Sequence, residues 1–393
     1  MASIDTPNSP LGTLNPALGT RHSKDNVRKL LFNLHLYCAL AIGVFIAIFG
    51  VTGAIMAFEP ELDHLLHPHR SYVEPQGSPK PLAELSAAAG KVVPGQPVLF
   101  ALSPAANISW QVIYRDAAVY VNPYTGEVLG VDRSPTEFLG YVHQLHLRLL
   151  TPLWLPKRDP RQIGKQVMSW AGVASLFLLL SGLYLWWPTK RVRVEWRSGE
   201  RRSWFDLHNS IGIVSLLFLL VLSLTGVLIG FDRQATPMFY KLTRSEPVQR
   251  PNTSVKPQPG TPVISPERAL EIARAALPGA APILLTAPNP GQLYQVALRY
   301  PEDLTPGGRS RVFIDPYGGK VVQAESSRTT AAGQRLVILN RALHTGDIFG
   351  MPSKVAVSLA SLAIVAQFVT GLVMWRKRVA QQRRAKKTFA AAP

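Results

Sequence analysis

The chain of 393 residues is 47% hydrophobic and carries 42 Lys and Arg against 24 Asp and Glu, a formal net charge of +18. One cysteine, Cys38, excludes an internal disulfide and paired-thiol redox chemistry. The basic excess comes with no nucleic-acid motif, so nucleic acid is set aside as a partner, and the apolar residues are gathered in blocks that read as membrane.

In chain order, a polar arm (1–29) precedes the first apolar block, 30–58, which holds His35, Cys38, Thr52 and Gly53. About 20 apolar residues suffice to cross a hydrocarbon core roughly 30 Å thick, so this block is predicted to span. It lacks the short h-region and cleavage site of a signal peptide and is expected to remain as an anchor. A long loop (59–163) follows. Its start contains Asp63, His64, His67 and His69, for which a solvated loop is favoured over a surface metal site. An Ala-rich segment ending at Pro94 and Gly95 predicts a helix. Strand-like stretches then flank the turn Asn122, Pro123, Tyr124, Thr125, Gly126, and His143 and His146 come after.

The second span (164–187) closes with Ser181, Gly182, Leu183 and Trp186, and a basic linker (188–204) leads into the third (205–231), with His208, Thr225 and Gly226. The second long loop (232–354) holds a helix signal at Ser265 and Pro266, an N-cap with proline at the first helical position. It also holds the turn Asp315, Pro316, Tyr317, Gly318, Gly319, and then Arg341 and His344. The fourth span (355–375) closes with Thr370, Gly371, Leu372 and Trp375 before a basic tail (376–393).

Arm, linker and tail carry 17 of the 42 basic residues and four acids. Short basic flanks are retained in the cytoplasm, so both termini and the linker are expected there, in a bacterial inner membrane, with both long loops in the periplasm.

The chain is written twice. Aligning His35 on His208 places Thr52-Gly53 on Thr225-Gly226, each 17 residues downstream. The two Pro-Tyr turns match, each loop ends in a Leu-His element, and the even spans end alike. Each unit has two spans, so the units are expected to be parallel repeats about an axis along the membrane normal. On these motifs the chain resembles the PepSY-associated transmembrane proteins from about residue 29 to 378, with its nearest kin among FoxB-type siderophore reductases. The resemblance implies a four-helix membrane bundle with two periplasmic α+β PepSY-like domains, and reduction of ferric siderophore at the outer face.

The histidines carry the chemistry. His35 and His208 lie at one depth near the cytoplasmic ends of their spans, on helices expected to be neighbours, and buried ionisable groups in spans mark function. Two neutral imidazoles can ligate both faces of one haem iron, with Asn33, Asn209 or backbone carbonyls as partners for the second ring nitrogen. His146 and His344 form a second pair near the outer face, which makes two b-type haems per chain. Because His143 aligns with Arg341, which cannot ligate iron, His146 is assigned as ligand. His143 and Arg341 are placed beside haem propionates or an anionic substrate. Gly53 and Gly226 fall near the outer pair, and Gly182 and Gly371 near the inner pair, where glycine admits a flat macrocycle; small-residue helix packing is the plainer alternative. Trp186, Trp187 and Trp375 read as an interfacial belt.

No metalloprotease, c-type haem, Walker or nucleophile-elbow motif is present, and the cytoplasmic segments are too short for a flavin domain. A separate donor is therefore expected: a flavoprotein, quinol or other reductant. The rival readings are a haem subunit for another periplasmic acceptor, a haem-free PepSY sensor and a transporter. No span is broken by proline and none has a mid-membrane acid, which argues against the transporter.

Overall fold

The computed structural model describes residues 16–133, 137–155, 160–190, 192–196, 200–258, 260–286 and 291–390. The first part of the arm (1–15) and the last three tail residues lie outside them. In chain order the elements are α1 (Pro16–Met56), α2 (Glu59–Leu66), α3 (Pro68–Ser71), α4 (Leu82–Gly90), β1 (Leu99–Ala101), β2 (Trp110–Ile113), β3 (Ala118–Val121), β4 (Val128–Asp132), α5 (Phe138–Arg148), α6 (Thr151–Trp154) and α7 (Pro160–Trp186). The second half contains α8 (Glu200–Gly230), α9 (Asp232–Leu242), α10 (Pro266–Ala276), β5 (Ala281–Thr286), β6 (Tyr294–Arg299), β7 (Ser310–Ile314), β8 (Val321–Glu325), α11 (Ala332–Thr345) and α12 (Met351–Ala390).

Four helices are long and apolar enough to cross a membrane: Asp25–Met56, Arg161–Trp186, Arg201–Gly230 and Met351–Ala390. They turn apolar side chains outward. Val214 is 71% exposed and Leu217 69% exposed, which a helix surrounded by water would not favour and one surrounded by lipid requires. The helices run past the sequence-predicted spans, α1 from Pro16 and α12 to Ala390. The 376–390 segment has Lys, Arg, Gln and Ala, good helix formers, and no Gly or Pro to stop the helix.

The helices form a ring in which α1 packs on α12 and α7, and α8 packs on the same two. Helices α1 and α8 are therefore diagonal, where neighbours were expected. The distal end of this bundle gathers the start of α8 and the ends of α7 and α12; the proximal end carries α5, α11 and the sheet.

The two loops do not build separate sheets. Their strands form one antiparallel eight-stranded sheet in the order β4-β3-β2-β1-β5-β6-β7-β8. It is joined in the middle by β1 and β5, where Phe100 opposes Leu285. A three-residue β1 would leave an open edge in an isolated half, and pairing with β5 removes that edge. Helices α4 and α10 cover one face over a shared core of Leu85, Phe100, Val112, Val119, Leu270, Leu285, Val296 and Val312. The two helices are tied by Glu267, which accepts a hydrogen bond from the backbone N–H of Leu82.

Local signals act as their chemistry dictates. Ser265 caps α10, its hydroxyl accepting from the N–H of Arg268 at 3.2 Å. In the two turns, Asn122 Oδ1 accepts from Tyr124 N at 2.9 Å and Asp315 Oδ1 accepts from Tyr317 N at 3.1 Å. Gly126 (φ +78) and Gly319 (φ +67) adopt the left-handed backbone that closes each one.

Candidate functional site: two tiers of histidines

Four histidines line the bundle interior in two tiers, and all four are held in the same way. In the distal tier His35 of α1 contacts the Ser181 hydroxyl of α7 through Nδ1 at 2.8 Å, and His208 of α8 contacts Thr370 of α12 at 2.8 Å. In the proximal tier His146 of α5 contacts Thr52 of α1 at 2.9 Å, and His344 of α11 contacts Thr225 of α8 at 3.1 Å.

Each hydroxyl has already committed its proton to its own helix. Ser181 donates to Phe177 O at 2.6 Å, Thr370 to Ala366 O at 2.7 Å, Thr52 to Ile48 O at 2.8 Å and Thr225 to Val221 O at 2.7 Å. An oxygen that donates there can only accept from the imidazole, so Nδ1 carries the ring proton and Nε2 keeps its lone pair. At His344 the Leu222 carbonyl, 3.2 Å from Nδ1 and able only to accept, demands the same tautomer. In the neutral ring this leaves the Nε2 lone pair of each imidazole available as a ligand. Burial pushes both proximal histidines down to about 4, which keeps them uncharged and available to a metal near neutral pH.

The glycine after each hydroxyl residue has a direct purpose. A Cβ at Gly53 would stand 3.2 Å from His146 Cε1, at Gly226 3.0 Å from His344 Cε1, at Gly182 3.4 Å from His35 Cε1 and at Gly371 3.6 Å from His208 Cε1. The glycines admit the imidazoles themselves; the sequence-based expectation that they admit a macrocycle misses this nearer contact. Of the partners expected for the second ring nitrogen, Asn33 and Asn209 give way to Ser181 and Thr370, while a backbone carbonyl, that of Leu222, does serve at His344. The signal was present: a hydroxyl residue precedes the glycine in all four matched dipeptides.

His35 and His208 face one cavity of about 1480 Å³ with Gly182, Gly371, Trp186 and Trp375. That exceeds the roughly 300–1,000 Å³ of ordinary small-molecule sites and suits a large planar group held between diagonal helices. The donor set, two Nε2 lone pairs in a largely apolar cavity, fits a haem with two axial histidines. His146 and His344 are close enough for the charge of one to act on the other. The tiers are separated by the 17 residues from His35 to Thr52 along one continuous helix, a rise of about 26 Å.

Different devices place the two proximal histidines. Helix α11 ends two residues after His344 on Gly346, φ +77. Helix α5 ends three residues after His146 on Leu149 and Leu150, both left-handed at φ 52 and 54. Two non-glycine residues in that region cost roughly 1 kcal/mol each or more. The turn is held by Thr151 donating to Arg148 O at 2.7 Å and Trp154 Nε1 donating to Leu149 O at 2.9 Å.

His143 lies apart from the repeated arrangement and pairs with Glu59, Nδ1 to carboxylate 2.9 Å. Arg341 is solvent-exposed on α11. Of the early histidines, His67 joins Asp63 and Glu137 in the single metal-ligating cluster among the described residues. Arg70 sits between those carboxylates, 2.7 Å from each and stacked on Tyr120, so the cluster is already neutralised as an ion-pair latch. His64 packs edge-on against Tyr72.

The family described as the PepSY-associated TM region matches residues 32–378, a range that holds His35, His146, His208 and His344. No curated protein matches the chain. With four apolar helices, an antiparallel sheet and a match over most of its length, this chain is a membrane protein that belongs to the PepSY-associated TM region family.

Proposed function

We propose that this chain moves electrons across a bacterial inner membrane to ferric siderophore in the periplasm, using two b-type haems held by His35 with His208 and by His146 with His344. Its two halves are parallel repeats, the termini and linker are cytoplasmic, and the joined sheet is periplasmic. One observation carries the reading: four imidazoles in two tiers, each fixed at Nδ1 by an already committed hydroxyl and each left with Nε2 free.

Haem bound at a tier supplies a one-electron centre. The protein's part is to orient the ligands, keep them neutral and exclude water. Ser181, Thr370, Thr52 and Thr225 accept from the ring N–H groups, and the glycines behind the imidazoles seat them. At the distal mouth Arg28, Arg201 and Arg378 are cations suited to the carboxylate edge of a haem. Electrons come from a separate donor, a flavoprotein, quinol or other reductant. Each ferric ion that accepts one becomes ferrous, a poorer match for hard oxygen ligands, and leaves its chelator. Siderophore as the acceptor rests on the resemblance to FoxB-type reductases.

The test is the visible spectrum of detergent-purified protein, oxidised and dithionite-reduced, with a haemochrome count. About two low-spin b haems per chain are expected, with His208→Ala removing one and leaving the other. Folded protein made with ample haem that carries none would overturn the reading in favour of a haem-free PepSY sensor. Reduced protein that ferric siderophore fails to reoxidise would make it a carrier for another periplasmic acceptor.

A further inference from the structure

The two halves of the sheet differ in charge. The second loop (232–354) holds 15 Lys and Arg against nine Asp and Glu, whereas the first (59–163) holds nine against ten. Topology does not explain the excess, because retained charge belongs on the other side of the membrane under the reading above.

Part of it is concentrated on one surface. In β6 and β7 the residues facing the α4 and α10 layer are Val296, Leu298, Val312 and Ile314. Strand alternation puts Arg299 and Arg311 on the opposite face, where Arg311 pairs across the strands with Ala297, and Arg309 stands just ahead of β7. Nε of Arg299 and of Arg309 is buried without a hydrogen-bond partner. Burial, and then the neighbouring guanidinium groups of Arg341 and Arg311, hold Arg309 below the ordinary arginine value. Asp303 and Asp347 act on Arg309 in the opposite sense, and Glu325, opposite Arg311, does so on that residue, without reversing either shift. The charge of Arg341 also reaches His344, so the cluster adjoins the proximal tier.

The fold does not demand these arginines. Matching Asp315 to Asn122 puts Asp116 where Arg309 stands and Ala118 where Arg311 stands, while His143 matches Arg341. Half-buried guanidinium groups with unused donors are matched to a carboxylate, which accepts two parallel N–H bonds. Solvent-exposed Arg341 leaves the cluster open to solution, where a positive surface steers anions.

We infer that Arg299, Arg309, Arg311 and Arg341 form the seat of an anionic, carboxylate-bearing ferric chelate beside the His344 side of the proximal tier. The inference deepens the proposed function and rests on it for the iron. It makes the acceptor site one-sided, built by the second half of the chain.

The test uses full-length protein and redox-inactive gallium(III) complexes, so that binding is read without electron transfer. Calorimetry compares gallium–EDTA, an anion, with gallium–desferrioxamine B, a cation. The anion is expected to bind more tightly. Arg309→Gln with Arg311→Gln is expected to weaken it about tenfold or more, with haem content and spectra unchanged. The same charge loss on the α10 side, Arg274→Gln with Lys320→Gln, is expected to leave binding intact. Equal affinity for both complexes, or no change in the Arg309/Arg311 variant, overturns the inference. So does loss of one haem in that variant, which would assign the arginines to haem carboxylates. Protein without haem that still prefers the anion would support the seat while overturning the electron-transfer reading.

Discussion

The two histidine tiers have the same hydrogen-bond chemistry and different mechanical support. In the distal tier both partners of each contact lie on long helices, so the bundle alone fixes the geometry. In the proximal tier only Thr52 and Thr225 belong to long helices, while His146 and His344 arrive on short helices from the segment that carries the sheet. The distal tier should therefore survive any disturbance that leaves the bundle intact, and the proximal tier should report how well the sheet is docked.

The largest effect that separates the tiers is expected at Arg70. Its side chain is 5% exposed and bridges Asp63 of α2 to Glu137 at the start of α5. Arg70→Met leaves two half-buried carboxylates facing each other, a loss of about 3 kcal/mol. Detergent-solubilised protein should melt earlier and, on the haem reading proposed above, lose the proximal haem first; equal loss of both would erase the distinction between tiers. Next comes removal of the acceptor behind one imidazole. Thr225→Val and Thr370→Val keep the side-chain shape and remove the hydroxyl that accepts from Nδ1, leaving His344 the Leu222 carbonyl as its remaining partner, and partners of this kind are worth about 10- to 100-fold in metal affinity. Haem-transfer rates to apomyoglobin should rise at the altered tier alone, and unchanged rates in both variants would reduce the hydroxyls to bystanders.

A smaller and graded contrast lies in the glycines. Gly226→Ala places Cβ 3.0 Å from its imidazole and Gly371→Ala places it 3.6 Å away. The first should displace the ligand and broaden the proximal low-spin band, whereas the second is ordinary contact and should leave the distal band in place. Least of all should follow from Lys165→Ala, which removes a surface pair with Asp232 worth about 0–1 kcal/mol. A measurable shift in either haem there would mean that the proximal end is coupled to its surface charges.

Much of this was legible in the sequence. Span number followed from the length of the apolar blocks, the α10 cap from Ser265 and Pro266, and the two turns from Asn122 and Asp315 with a glycine four residues on. The matched histidines and glycines were legible as well, because spacing along a helix translates directly into depth and face. The hydroxyl partners were visible but given no role: Ser181 and Thr370 served only as marks of the repeated span ends, because a hydroxyl shows its partner only when a ring nitrogen from another helix is beside it. Arg70 gave no signal, because a buried arginine is defined by carboxylates that reach it from other parts of the chain.

What the sequence determined by itself is local and periodic: four long helices, two helix-plus-meander loops, and one histidine for each hydroxyl-glycine dipeptide. Only the tertiary structure decided that α1 and α8 lie on a diagonal, that the two meanders close into one sheet through β1 and β5, and that β7 brings its arginines toward Arg341. The physical reason is that hydrogen-bonded turns and apolar periodicity are written within a few residues. Strand edges, cavities and clusters of charge arise only when segments far apart in the chain must satisfy one another.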